Sequence, residues 1–324
     1  MQGPAVQGAL VEGQWWTVLL VPVLVGVLAL GGAVFARVLD ARADGRAISA
    51  AVLAAPLTES GRLLVAQRRA VVASDRLLAR TGVVLVPVAA VLAALVVPFG
   101  DITASDLSVG IVWFNAMEIA MWAALWMAGW GTNSVWGLVG GYRFVVQGLS
   151  YELPHMLALI TVATGAASLS VSGAVAAQDG LWFVVWMPVA FVAFLVSALA
   201  LSFAGPFDTA TGRDVAGGVL AEFSGVDRLL LLAGRWLMLA AAAAMSVPLF
   251  LGGGAGPLLP AWLWTVVKTV VVLGVLVWVR SRTATVRMDR FAEFGWIVLI
   301  PLTLLQALVV AVVVVARGTS MGGM

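Results

Sequence analysis

WLWTVVKTVVVLGVLVWVR (residues 262–280) has one lysine in its interior and is otherwise uncharged up to its closing arginine. A strand of a membrane barrel would alternate apolar and polar residues, and this run does not. A helix satisfies its own backbone hydrogen bonds in lipid, and about 20 apolar residues cross a hydrocarbon core roughly 30 Å thick. The stretch therefore reads as a membrane-spanning helix that carries a charge inside it.

The same reading extends along the chain. Expected spans fall at about 16–38, 81–98, 109–130, 150–171, 182–203, 228–251, 261–281 and 294–316. The first is too long for a signal-peptide core and no clear cleavage site follows it, so it counts as a span. Composition agrees: of 324 residues, 62% are hydrophobic and 10% charged, with a mean hydropathy of +1.08. Soluble domains carry about 25% charged residues. The expected fold class is all-α, a polytopic integral membrane protein with about eight transmembrane helices in a single membrane domain over residues 1–324.

Charge sets the expected orientation. The connection after the first span holds Arg42, Arg46, Arg62, Arg68, Arg69, Arg76 and Arg80; later odd-numbered connections hold Arg143, then Arg213, then Arg282, Arg287 and Arg290. Even-numbered connections hold only Asp101, Asp106 and Asp179. The positive-inside rule then places odd connections in the cytoplasm and both termini outside it. The segment 47–80 is too charged to span. Its Leu57, Leu63, Leu64 and Val65 interleave with Arg62, Arg68 and Arg69, as in an amphipathic helix on the membrane surface, with Thr58 as an expected N-cap. Such a helix either anchors on anionic lipid or docks a peripheral protein.

Cysteine is absent and histidine occurs once. Thiolate metal sites, iron–sulfur ligation and disulfides are thereby excluded, and no HxxxH or GxxxxGK[ST] run offers a metal, haem or nucleotide site. No bound cofactor or nucleic-acid partner is expected; electrons, if they move, are carried by another polypeptide. Charges inside spans are costly and face protein or water. Glu118, Lys268 and Glu152 are such charges, read either as packing contacts or as parts of an ion or substrate route. Asn115, Gln147 and Gln306 read as interhelical polar contacts. In GLSYELPHMLAL (148–159), Pro154 stands between Glu152 and the lone His155. Proline removes a backbone donor, so a loosened, hydrated turn is expected there; His155 reads as a satisfied polar contact, with an unperturbed pKa that would also let it exchange protons near neutrality.

Together the inner motifs resemble one family, the H subunit of respiratory complex I, whose membrane domain builds most of a quinone chamber. AGWGTNSVWGLVGGYRFVVQGLSYELP (128–154) is similar to the family's AGWxSNSKYALLGxxRxxAQxxSYExP, GPFD (205–208) to APFD, and AEFSG (221–225) to VEYSG. WVRSRTATVRMDRFAEFGWIVLIPLTLL (278–305) resembles the family's final cytoplasmic loop and span. The likeness covers roughly residues 110–310. Departures are equally specific. RVLDARADGRAI (37–48) lacks the family's GPNRVGP run, LSFA (201–204) replaces an acidic ETNR, and TATGRDV (209–215) replaces LPEAESE.

The resemblance implies a non-redox membrane subunit of a proton-translocating NADH-quinone oxidoreductase in a bacterial-type cell membrane. Quinone would be its substrate, held against a peripheral iron–sulfur subunit on the cytoplasmic side, with other membrane-arm subunits as neighbours. Glu152, Asp208 and Glu222 look like carboxylates between the quinone cavity and the central polar axis, and Lys268 matches a lysine of the penultimate span. Arg143, Arg280, Arg287 and Asp289 look like charges that hold the chamber mouth and the docked arm. Glu118 has no counterpart and is expected to stand in for a lost loop acid. The alternative within the same ancestry is the membrane anchor of an energy-converting hydrogenase or formate hydrogenlyase. A lone transporter is disfavoured because the halves share no repeat, and a structural scaffold is the remaining reading.

Overall fold

The structure, a computed structural model, describes residues 15–69 and 71–321. Among these, twelve α-helices run in order: α1 (Thr17–Ala43), α2 (Ala50–Val65), α3 (Arg76–Ala94), α4 (Gly110–Gly131), α5 (Val135–Ala166), α6 (Val171–Ala176), α7 (Phe183–Trp186), α8 (Pro188–Leu201), α9 (Gly225–Phe250), α10 (Ala261–Arg282), α11 (Met288–Phe294) and α12 (Ile300–Met321). A π-helical turn, Gly295–Leu299, joins α11 to α12. Six of the described helical stretches are long and apolar enough to cross a membrane: α1, α3, α4, α9, α10 and the run Met288–Ala316.

The remaining two expected spans fall on α5 and on α7–α8. The α5 helix begins at Val135, fifteen residues before the expected start of span four. Its N-terminal turns carry Gly140, Gly141 and Arg143, which hide the helix from a hydropathy reading. At 1.5 Å per residue its 32 residues extend about 48 Å, beyond the hydrocarbon thickness. Pro154 lies inside α5 without ending it, so the loosened turn expected there is replaced by continuous helix. Span five is broken: Met187 leaves helical geometry and α8 restarts at Pro188, where proline's missing N–H costs nothing.

The α9 helix is the hub. Residues Ala240 to Ala244 are completely buried, and small side chains let neighbouring backbones approach closely, the usual basis of packing in lipid. Gly82 shows the same device: a Cβ there would come within 3 Å of backbone atoms of Ala124 and Ala128, which brings α3 against α4. The α4–α5 hairpin closes at Asn133, whose φ of 47° is left-handed, a conformation asparagine tolerates. Its Nδ2 donates to Ala73 O at 3.1 Å, tying the hairpin to the loop before α3. By contrast α12 shows Leu304, Leu305, Leu308 and Val312 on its outer side.

The α2 helix begins earlier than expected. Ser49 stands at its N-cap position and Thr58 lies in its interior, where Thr58 Oγ1 donates to Ala55 O at 3.1 Å. Leu63 alone on α2 is buried, while Leu57, Leu64 and Val65 remain exposed, an apolar face that suits a helix lying along a membrane.

Candidate functional site

Three polar groupings occupy the bundle. The first is a cavity of about 390 Å³ enclosed by α1, α2, α9 and α10. Its apolar wall includes Ala29, Leu30, Ala33, Leu63, Leu232 and Trp236; its charged side includes Arg37, Asp40, Glu59, Arg235 and Arg280. Arg280 lies over the Trp236 ring, 4.8 Å from its centroid, an arrangement that steadies a guanidinium in an apolar wall. The Arg62 guanidinium hydrogen-bonds Glu59 at 2.6 and 2.8 Å and holds its carboxyl below the ordinary glutamate range. An apolar cavity with few polar groups at one end is the general form of a site for a small amphipathic molecule. Of its charged residues the sequence pattern singles out only Arg280. The small residues Ala29, Ala33 and Ala36 look like ordinary packing residues until α2 folds over them.

The second grouping is a cleft of about 980 Å³ lined by Arg143, Asp208, Arg213, Asp214, Arg287 and Asp289, among others. It brings four of the expected residues, Arg143, Asp208, Arg287 and Asp289, into one place. Arg143 pairs with Asp214 at 2.5 Å, and Arg287 with Asp289 at 3.3 Å. The loop beneath is anchored from α5: Gln147 Nε2 donates to Ala200 O (2.6 Å) and Phe207 O (2.9 Å), and Thr209 Oγ1 donates to Gln147 Oε1 (2.5 Å). Val286 N donates to Pro206 O at 2.9 Å, and Phe207 packs on Phe291. GPFD is thus the part of the loop that is pulled into the bundle. Glu222 accepts from Ser134 Oγ at 2.8 Å, which links AEFSG to the serine of the hairpin turn.

The third grouping lies deepest. Glu152 Oε1 accepts from Asn115 Nδ2 at 3.1 Å, and His155 Nε2 stands 2.6 Å from Glu118 Oε2, off the alignment of a regular hydrogen bond. Both side chains of the latter pair are 1% exposed. Asn115 and Glu118, like Glu152 and His155, are three residues apart and share a helix face. The sequence could not reveal this pairing, because it depends on the rotation of α4 against α5. His155 is therefore set against an acid of α4 with neither ring nitrogen in a regular hydrogen bond, where a satisfied polar contact was expected.

Among the described residues no hydrogen bond joins Glu152, Asp208 and Glu222 to one another. Gln147, which holds the loop at Phe207 and Thr209, is five residues from Glu152, about 7.5 Å of helical rise. Lys268 stands apart from all three acids. Its Nζ donates to Leu251 O, Gly253 O and Ala255 O at 2.7, 2.9 and 2.8 Å and sits 4.1 Å from the Trp182 ring centroid. Three carbonyls of the α9–α10 turn thus enclose the ammonium. Gln306 behaves as expected, its Nε2 donating to Trp186 O at 3.1 Å.

The family described as NADH dehydrogenase matches residues 16–311. The NADH-quinone oxidoreductase H subunit numbered 2 from Geobacter sulfurreducens is 34% identical over 266 residues, covering 78% of this chain and 80% of its own. Its counterpart numbered 1 from Geobacter metallireducens is 33% identical over 274 residues, 81% and 83% of the two chains. Another, numbered 2, from Syntrophobacter fumaroxidans is 36% identical over 236 residues, 69% and 71%. With its helices and these likenesses in agreement, the chain belongs to the NADH dehydrogenase family.

Proposed function

We propose that this chain is the membrane-embedded H subunit of a proton-translocating NADH-quinone oxidoreductase and forms the quinone chamber with a peripheral iron–sulfur subunit. The observation that carries the reading is the cavity between α1, α2, α9 and α10, apolar along its wall and charged at one end. An isoprenoid tail would lie along Ala29, Ala33 and Leu63 while Arg37, Asp40 and Arg280 face the polar headgroup. The cleft around Arg143, Asp208, Arg287 and Asp289 offers both signs of charge to the docked subunit. Eight spans, with both termini outside the cytoplasm, fit the lengths of α5 and α7–α8 and the arginines of the odd connections. The terminal residues 1–14 and 322–324 lie outside the described residues.

Quinone reduction at the inner mouth creates a demand for protons. In this reading Asp208 and Glu222 serve the mouth and Glu152 a deeper position on α5; with Glu118 they form our proposed route from the chamber to neighbouring membrane-arm subunits. The route is shorter in loop acids than the family pattern. Lys268 we assign to holding the α9–α10 turn, because three carbonyls already take up its hydrogens. The names of the relatives favour the quinone-reducing assembly over the hydrogenase type. Photolabelling the purified complex with a quinone analogue tests the chamber. Label on α1 and α2 near Ala33 and Leu63, competed by quinone, is expected. Label elsewhere only would remove the assignment.

A further inference from the structure

Glu118 and His155 are within 2.6 Å of each other in the membrane interior, and both lone-pair atoms cannot approach that closely without a proton on one of them. One side of the pair is aromatic. Phe194 of α8 lies against the imidazole with ring centroids 4.9 Å apart, and Phe250 of α9 covers Phe194. The polar groups facing the pair are Asn115 on α4, Tyr151 and Glu152 on α5, and Ser197 of α8, which donates to Tyr151 O at 3.4 Å. His155 Nδ1, Glu118 Oε1, Glu152 Oε2, Asn115 Oδ1 and Tyr151 Oη are buried without a hydrogen-bond partner among the described residues. A purely structural contact would be expected to satisfy such atoms.

Charge counting adds a constraint. With both carboxylates ionised and the imidazole neutral the group would carry two buried negative charges, which burial strongly opposes. Two protons shared among Glu118, Glu152 and His155 make it neutral, and several arrangements of those two protons have the same net charge.

We propose that Glu118 and His155 form a proton-holding pair that exchanges one proton with Glu152 at constant net charge. With the imidazolium paired to the Glu118 carboxylate, the O–H of Glu152 breaks and an O–H forms on Glu118; one carboxylate replaces the other and nothing is oxidised or reduced. His155 keeps its positive charge beside whichever acid is ionised; the group is reset when the O–H of Glu118 gives up its proton toward the neighbouring membrane-arm subunits and Glu152 takes up the next one from the mouth, which returns the net charge to zero. This deepens the proposed route and rests on it.

The test uses the assembled complex, with redox-triggered infrared difference spectra and protons translocated per NADH measured together. Wild type is expected to show a carboxyl C=O change and a shift of the imidazolium bands, as its carboxylate partner changes, on quinone reduction. In Glu118→Gln/His155→Gln both changes are lost and the proton ratio falls severalfold; the exchanged pair Glu118→His/His155→Glu restores both. Spectra and ratio of the Gln/Gln variant that match wild type would overturn the pair. If that variant does not assemble, the exchanged pair decides: retained signals support the proposal, and assembly without them refutes it. Glu152→Gln separates the two levels of inference. Coupling lost there but unaffected in Gln/Gln removes the pair alone, whereas coupling unaffected in both removes the route as well.

Discussion

Replacing Lys268 by Met separates a clamp from a relay. In the structure the ammonium donates three hydrogen bonds to the carbonyls of Leu251, Gly253 and Ala255. Hydrogen bonds from a charged donor contribute about 1.5–3 kcal/mol each. The bonds to Leu251 O and Ala255 O are only part-buried, so those two carbonyls can regain water once the lysine is gone while that of Gly253 stays buried, and removing the ammonium also relieves its own desolvation. The net loss is therefore nearer the contribution of one such bond than of three, about 2–3 kcal/mol. The damage should be local. Gly252 and Gly253 adopt positive φ, at 68° and 54°, and nothing else donates to the three carbonyls among the described residues. Thermal unfolding of the purified complex and limited proteolysis between Gly252 and Leu258 are the assays. A lowered unfolding temperature with faster cleavage in that turn, and an unchanged proton-to-electron ratio, is the expected result. A lost ratio with stability and cleavage as in wild type would refute the reasoning and return Lys268 to the proton route.

Other perturbations probe different parts of the molecule. Ala33→Phe should crowd the cavity wall and raise the quinone KM about tenfold, equivalent to 1.4 kcal/mol, while electron transfer to a water-soluble acceptor upstream is retained; an unchanged KM counts against the cavity. Arg143→Ala removes a pair with Asp214 whose side chains are 29% and 64% exposed, so subunit stability should change by no more than about 1 kcal/mol. Co-purification of the peripheral subunits, by contrast, should drop measurably. Gly82→Leu forces a side chain into the backbone of α4 and is expected to cost about 1–3 kcal/mol or more, read as a lower unfolding temperature in detergent. Glu59 is held below the ordinary glutamate range by Arg62, so its contribution is present above that range and is lost as pH falls through the lowered value. Glu59→Gln should lack this small contribution at neutral pH as well, so that protease access to residues 47–66 matches that of acidified wild type and no longer varies with pH.

Much of the fold was legible because lipid imposes a simple rule on apolar runs. The stretch at 262–280 became α10 almost as bounded, and 109–130 became α4. The rule fails where a helix leaves the membrane: the first turns of α5 carry glycine, tyrosine and arginine, so its start at Val135 was invisible to hydropathy. Pro154 misled for a related reason. Packing around a long buried helix tolerates a missing N–H that an isolated helix would not. Arg143, Asp208, Arg287 and Asp289 share one cleft because Gln147 holds the GPFD loop against α5, whereas Arg280 falls in the other cavity and Glu222 is tied to Ser134. The pairing of Glu118 with His155 was not legible, since 37 residues separate them and only helix rotation joins them. The cavity was hidden as well: Ala29 and Ala33 carry no chemistry until α2 covers them.

The claim on which most depends is that acids at the inner mouth and just above it serve a reaction run by a docked neighbour. Its most direct test is the proton-to-electron ratio of the reconstituted complex carrying Glu152→Gln and Glu222→Gln together. Collapse of proton translocation, with quinone-dependent turnover falling alongside it in a complex that still assembles, is expected. Full quinone turnover with a wild-type proton ratio would contradict it.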